Sequence, residues 1–80
     1  MYFKDTAEEA ARMLGLKDPV GILAQDKTSV VVRWKNDNGK YEQVEIIPED
    51  VLLREGNITA EGLKKEIVRL IETDQTKVFN

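Results

Sequence analysis

The side chains in this chain that could act as acids or bases are carboxylates in close pairs. The pairs are Glu8 with Glu9, Glu42 with Glu45, and Glu49 with Asp50. A catalytic pair needs one carboxyl group with a raised pKa and one that stays ionised, which requires two unequal environments. Adjacent carboxylates of this kind are more typical of solvated or helix-capping positions. We therefore expect no catalytic residues and no enzymatic activity.

Cysteine and histidine are both absent from the sequence. Their absence excludes disulfides, thiolate nucleophiles, imidazole bases and zinc sites built from nitrogen and sulfur ligands. The sequence also contains no phosphate-binding glycine loop and no calcium-loop spacing. We expect no metal and no cofactor.

The composition is that of one small globular domain of 80 residues, with 41% hydrophobic and 34% charged residues. No apolar run approaches the roughly 20 residues of a membrane span, and the first residues lack the regions of a signal peptide. We expect a cytoplasmic protein without membrane contact. Such a short chain buries only roughly 60 to 65% of its unfolded surface, so homo-oligomerisation through a sheet edge or an apolar helix face would add stability.

The stretch from Thr28 to Ile47 predicts a β-hairpin with its turn at Asp37-Asn38-Gly39. A three-residue loop with Gly39 in the left-handed conformation gives a type I turn and a G1 bulge. This register pairs Val30 with Ile46, Val32 with Val44 and Trp34 with Glu42. One face of the hairpin then becomes almost wholly apolar.

The opposite face of the hairpin is the predicted surface for a partner. Tyrosine and arginine are over-represented at interface hot spots, and both occur there. The candidate partner-binding residues are Val31, Arg33, Lys35, Tyr41 and Gln43.

Charge is unevenly distributed in this chain, whose net charge is −3. Residues 27–41 carry four basic residues against one acidic residue, while the segments before and after them are acidic. Such a local feature could orient a charged partner. The simpler interpretation, which we favour, is that Arg33 and Lys35 face Glu42 and Glu45 across the hairpin or diagonally.

Helices are predicted at both ends of the chain, over residues 5–15 and 59–73. Thr6 and Glu9 have capping-box spacing, and Tyr2 and Phe3 before them are expected to pack against the domain. Small alanines would let the first helix approach a sheet closely. The second helix has Thr59 as its N-cap, an apolar stripe of Leu63, Ile67, Leu70 and Ile71, and a wet side that includes Glu66.

Three segments are less clearly patterned. Residues 17–27 contain either a strand over 20–24 or a short helix after Asp18-Pro19, and Gly21 favours the strand. After Pro48, Glu49 and Asp50 begin a turn or a single helical turn, and residues 51–54 are predicted as a short buried strand. Residues 74–80 are predicted as a frayed tail, although Val78-Phe79 could add an edge strand.

The central run Gly21 to Leu53 resembles a small SH3-like barrel over about 33 of the 80 residues. The resemblance rests on three runs. The successive strands and the short turn before the last strand correspond to G-I-L, V-V-V-R-W and V-E-I-I-P-E-D-V-L-L. The resemblance implies a small barrel. It implies no particular function, because such barrels serve in chromatin reading, RNA binding and protein docking.

A second resemblance is to MerR-like or excisionase-like helix-turn-helix proteins. TAEEAARMLGL looks like their opening helix, and Ser29 to Trp34 with Gly39-Lys40 looks like their recognition helix and following turn. The resemblance implies DNA binding, with groove contacts from Ser29, Arg33 and Lys35.

Taken together, the patterns predict an α+β domain. We expect a small bent antiparallel sheet or SH3-like barrel of three or four strands, flanked by an N-terminal and a C-terminal helix. The expected function is a non-catalytic protein-interaction module, acting as a regulator or as a subunit of a larger complex. The expected partner is another protein, and the alternative function is nucleic-acid binding.

Overall fold

A computed structural model describes residues 3–79 of the chain. Within this range the elements are helix α1 (Lys4–Met13), strands β1 (Lys17–Leu23), β2 (Val30–Lys35) and β3 (Tyr41–Ile46), helices α2 (Pro48–Glu55) and α3 (Ala60–Glu72), and strand β4 (Lys77–Phe79). The strands form one antiparallel sheet in the order β1-β2-β3-β4. The predicted α+β class with helices flanking a sheet is confirmed.

The β2–β3 hairpin has the predicted register, with Val30 opposite Ile46, Val32 opposite Val44 and Trp34 opposite Glu42. Gly39 has φ +77° and its amide donates to the Asn36 carbonyl. Because glycine adopts this conformation at little steric cost, the three-residue turn closes without strain. Strand β1 confirms the favoured interpretation of residues 17–27, with a bulge between Lys17 and Val20.

The core lies on one face of the sheet, and all three described helices contribute to it. Alternate strand residues enter it because side chains of a strand point to opposite faces in turn. Its fully buried members include Val30, Val32, Val44 and Ile46 from the sheet, Ala7, Ala10 and Ala11 from α1, Val51 from α2, and Leu63 and Ile67 from α3. The small alanines let α1 pack closely against β1, β2 and α3.

Helix α1 differs from its predicted start. It begins at Lys4, and its N-cap is Phe3, whose side chain is buried and makes no capping hydrogen bond. The predicted capping box of Thr6 and Glu9 is therefore wrong, because Thr6 already lies inside the first turn. Phe3 packs in the core as predicted, whereas Tyr2 lies outside the described residues.

Helix α1 ends in a Schellman motif. The Leu16 amide donates to the Ala11 carbonyl at 3.2 Å, and the amide of Gly15, with φ +80°, donates to Arg12 at 3.0 Å.

The predicted strand at residues 51–54 is wrong, because this segment lies in helix α2. Pro48 occupies the first turn with Glu49 and Asp50 beside it, which is a favourable helix start. Only Val51 of the apolar run is buried, and the Leu53 side chain is 85% exposed. The helix ends at Gly56 in the left-handed conformation.

Residues 30–35 do not form the recognition helix that the helix-turn-helix resemblance implies at Ser29 to Trp34. Val30–Lys35 forms strand β2 at the centre of the sheet. Three consecutive β-branched residues favour a strand over a helix, because their side chains are stiff at χ1.

The C-terminal part of the chain is largely as predicted. Thr59 caps α3, since its Oγ1 accepts from the Gly62 amide at 3.1 Å. Residues 77–79 form an edge strand and are not a frayed tail. Asn80 lies outside the described residues.

Candidate functional site

The candidate site is the face of the sheet that points away from the core, which we call the open face. Its side chains come from all four strands. They are Lys17, Val20 and Ile22 from β1, Val31, Arg33 and Lys35 from β2, Tyr41, Gln43 and Glu45 from β3, and Lys77 and Phe79 from β4.

The register brings all five sequence-predicted residues together on this face. Val31 lies opposite Glu45, Arg33 opposite Gln43 and Lys35 opposite Tyr41. Because directly opposite residues of an antiparallel pair share a face, the five residues form one continuous surface over two central strands.

Sequence analysis missed the residues that β1 and β4 add to the open face. Val20 lies opposite Arg33, and Ile22 opposite Val31. Phe79 lies opposite Tyr41, and Lys77 opposite Gln43. The only sequence signal for β4 is the short Lys77-Val78-Phe79 alternation, which is too brief to distinguish an edge strand from a tail.

Arg33 is the most constrained side chain at the centre of the face. Its Nε and Nη2 donate to Gln43 Oε1 at 3.2 and 2.9 Å. Its guanidinium carbon lies 5.3 Å from the centroid of the Phe79 ring, within the range of a cation–π contact. These contacts join β2, β3 and β4 and hold the guanidinium in one position.

The basic side chains of the open face are not neutralised by neighbouring carboxylates. None of the ion pairs among residues 3–79 involves Arg33, Lys35 or Lys77. The expectation that Arg33 and Lys35 face Glu42 is wrong, because Glu42 lies opposite Trp34 on the core face. Glu45 does lie diagonally from Arg33 on the open face, but Arg33 is hydrogen-bonded to Gln43 and forms no ion pair with Glu45. Lys17 lies opposite Lys35, so the face carries four positive charges against the one negative charge of Glu45.

The β1 end of the open face is aliphatic and concave. Val20 and Ile22 are partly exposed, and Val31 lies beside them. An open groove of about 470 Å³ lies here. Its lining combines Ile22 and Val31 with the charged Arg33 and Glu45, with Gln43, and with the loop after β1. Apolar side chains around a groove provide area that a partner can cover.

The loop that borders this groove is ordered by Asp26. Its Oδ1 accepts from the amides of Thr28 and Ser29 at 2.9 and 3.1 Å, and its Oδ2 accepts from Ser29 Oγ at 2.9 Å. These donors lower the pKa of Asp26 to about 2, since hydrogen bonds to a carboxylate favour its ionised form. The groove wall is therefore fixed by local hydrogen bonds.

Helix α1 is held against the outer edge of β1. Glu8 Oε1 accepts from the Gly21 amide at 3.0 Å, which satisfies a donor on the edge strand. That hydrogen bond, together with one from Arg12, lowers the pKa of Glu8. A Cβ atom at Gly21 would collide with the Lys4 carbonyl, so glycine is needed for α1 to lie this close.

A second charged cluster joins α2 to α3. Glu66 is only 3% exposed, so its predicted place on the solvent-exposed face of α3 is wrong. Arg54 Nη1 donates to its carboxylate at 3.0 and 3.2 Å, and Arg69 donates through Nε and Nη2 at 3.2 and 3.0 Å. Arg69, followed by Arg54, lowers the pKa of Glu66. Its lone pairs are occupied within the fold, which gives the cluster a structural role.

The carboxylate pairs singled out in the sequence do not converge. Glu8 and Glu9 both pair with Arg12, and Glu42 and Glu45 point to opposite faces of the sheet. Glu49 and Asp50 lie in the first turn of α2. In residues 3–79 no group of three or more acidic side chains is placed to hold a metal ion. No helix of the described range has the length and apolarity needed to cross a bilayer.

Comparison of the chain with protein-family models, with curated proteins and with solved structures gives no match. The site must therefore be interpreted from its own geometry.

Proposed function

We propose that this chain is a small non-catalytic protein-interaction module that binds its partner through the open face. The observation that carries the proposal is the exposure of aromatic side chains on a face that none of the described helices covers. Tyr41 is 43% exposed and Phe79 39% exposed, side by side on β3 and β4. Aromatic and arginine side chains supply most of the binding energy at protein interfaces.

The construction of the face supports the same proposal. Its central strands are fixed by the core on the other side, and Arg33 is fixed by Gln43 and Phe79. A contact surface that is already ordered loses less conformational entropy when a partner binds. Such a module would act in the cytoplasm as a regulator or as a subunit of a larger complex.

The test is a pull-down with tagged protein after nuclease treatment, comparing wild type with Arg33→Glu/Tyr41→Ala. The matched control is Lys65→Glu/Leu53→Ala, which makes the same kinds of change on the exposed side of α2 and α3. We expect wild type and control to retain a defined partner and the face variant to lose it, with circular dichroism unchanged in all three. Equal recovery by the face variant would remove the open face from consideration.

Nucleic-acid binding is the second candidate function. It is favoured by three basic side chains beside two exposed aromatic rings, a combination that can hold phosphates and stack bases. It predicts a steep loss of affinity with salt, because bound phosphates release counterions. Retention of a protein partner after nuclease treatment, with little salt dependence, would exclude it.

A further inference from the structure

We propose that the partner presents an extended acidic segment in which a carboxylate and an apolar side chain lie two positions apart and so point to the same face. This inference rests on the proposed function and names the chemistry of the partner. The segment lies across the part of the open face formed by Arg33, Lys35, Lys77, Tyr41 and Phe79, which we call the aromatic–basic patch.

Charge complementarity is the first argument for an acidic partner. The three basic side chains of the patch form no ion pair within residues 3–79. Of the nine other basic residues, six form ion pairs, whereas Lys17, Lys27 and Lys40 form none, and Lys17 lies opposite Lys35 beside the patch. The whole chain has a net charge of −3. The patch is thus a positive area on an acidic protein, which attracts a negative segment and repels a basic one.

Arg33 is arranged to receive a carboxylate. Gln43 Oε1 accepts two of its five N–H donors, and the remaining three make no hydrogen bond within the described residues. Contact with Phe79 keeps the guanidinium plane fixed. A pre-positioned guanidinium with open donors binds a carboxylate through charge-assisted hydrogen bonds, which are stronger than neutral ones.

The two exposed aromatic rings of the patch favour contact with apolar side chains, which must therefore lie near those carboxylates in the segment. Tyr41 lies directly between Lys35 on β2 and Phe79 on β4. Neighbouring strands are about 4.8 Å apart, so the patch is roughly 10 Å across from β2 to β4. About three extended residues span that distance. Side chains two positions apart point to the same face of an extended chain, so an acidic and an apolar side chain at that spacing can both contact the patch.

A protein segment fits the whole face better than a nucleic acid does. The adjoining Val20, Ile22 and Val31 supply aliphatic surface that an apolar side chain can cover. A polyanion would also meet Glu45 and the acidic remainder of the chain, whereas a short segment brings only a few charges to the patch. These features favour the acidic–apolar segment.

The experiment is selection of a random dodecapeptide phage library on immobilised wild-type protein. A parallel selection uses Arg33→Gln/Lys35→Gln/Lys77→Gln, and the matched control is Lys4→Gln/Lys64→Gln/Lys65→Gln on α1 and α3. Selected peptides are synthesised, and their affinity is measured by fluorescence anisotropy at low and moderate salt, next to a labelled 20-nucleotide poly(U). We expect convergent peptides that carry Asp or Glu two positions from aromatic or aliphatic residues. Their affinity should fall roughly tenfold or more with the patch variant, and also when their acidic residues become amides.

The inference is overturned by peptides without acidic residues, by equal affinity for the patch variant, or by poly(U) binding with no convergent peptide. Peptides that lack acidic residues but compete at the open face would leave the proposed interaction function standing. If wild-type protein recovers no partner in the pull-down and no convergent peptide in the selection, both the proposed interaction function and the acidic-segment inference are overturned. A stable dimer in sedimentation of the wild type that is lost in the patch variant would assign the surface to a second copy, and it would also overturn the inference.

Discussion

Arg33 and Phe79 meet across the open face, with the guanidinium carbon 5.3 Å from the ring centroid. Their strands are not neighbours, because β3 lies between β2 and β4. The contact therefore passes over β3, where Gln43 fixes the other side of the guanidinium. It links the three-residue edge strand to the centre of the sheet and sets the position of the main positive charge on the face.

Replacing the Phe79 ring should loosen β4. For Phe79→Ala we expect a loss of about 0.5 to 1 kcal/mol from the exposed cation–π contact, with faster amide hydrogen exchange in residues 41–43 and 77–79. Phe79→Tyr keeps an aromatic ring and serves as the control. Equal exchange rates in both variants would show that the ring does not hold the edge strand.

Adding one methyl group at Gly21 should displace α1 from β1. A Cβ atom there meets the Lys4 carbonyl, so Gly21→Ala is expected to lower the free energy of unfolding by about 1 to 3 kcal/mol. At Gly39 a Cβ atom has nothing within 4 Å, and Gly39→Ala should cost only the strain of its positive φ, about 1 kcal/mol. Urea denaturation measures both, and a smaller loss at Gly21 than at Gly39 would contradict the close approach of α1.

The Glu66 carboxylate, which is bound by two arginines, should contribute more to the free energy of unfolding than an exposed carboxylate on the same helix. Glu66→Ala leaves Arg54 and Arg69 without their shared acceptor, and because both arginines are partly exposed we expect a moderate loss of about 1 to 3 kcal/mol. Glu61→Ala, which removes an exposed pair with Lys64, should cost less than about 1 kcal/mol. Equal midpoints of urea unfolding for the two variants would mean that the hydrogen bonds from Arg54 and Arg69 to Glu66 do not stabilise the α2–α3 packing.

Stability should fall in acid partly through Asp26. Its pKa is about 2 in the folded chain, below the ordinary value of 3.8. A group whose pKa is lowered by folding stabilises the fold above its ordinary pKa, and that contribution is lost as the pH falls through the folded value. We therefore expect it to be complete above about pH 4 and to disappear towards pH 2.

The measurement is an NMR titration of the Asp26 side-chain carboxyl carbon. Asp26→Asn should flatten the dependence of stability on pH over the same range. A midpoint for Asp26 near 3.8 would contradict the three-donor geometry around its carboxylate.

The hairpin and its open face could be predicted from sequence because two local signals agree. Side-chain alternation over residues 30–46 permits one register with an apolar face, and Gly39 lies where that register needs a positive φ. The five predicted face residues consequently lie together. This surface required no knowledge of distant contacts.

The errors arose where short segments or distant partners decide the structure. Residues 48–55 make a helix of only eight residues with one buried side chain, so its apolar run resembled a strand. From sequence Glu66 was predicted to be solvent-exposed, because Arg54, which binds its carboxylate, lies in a different helix. The contributions of β1 and β4 to the open face depend on pairing that no local pattern specifies.

The most direct test of the central claim is a map of backbone amide chemical shifts of the labelled protein, with and without the partner recovered by pull-down. If the open face is the contact surface, the largest shifts will lie in residues 20–22, 31–35, 41–45 and 77–79, with little change in α2 and the outer side of α3. Shifts concentrated on the helices, with the four strands unchanged, would contradict the account.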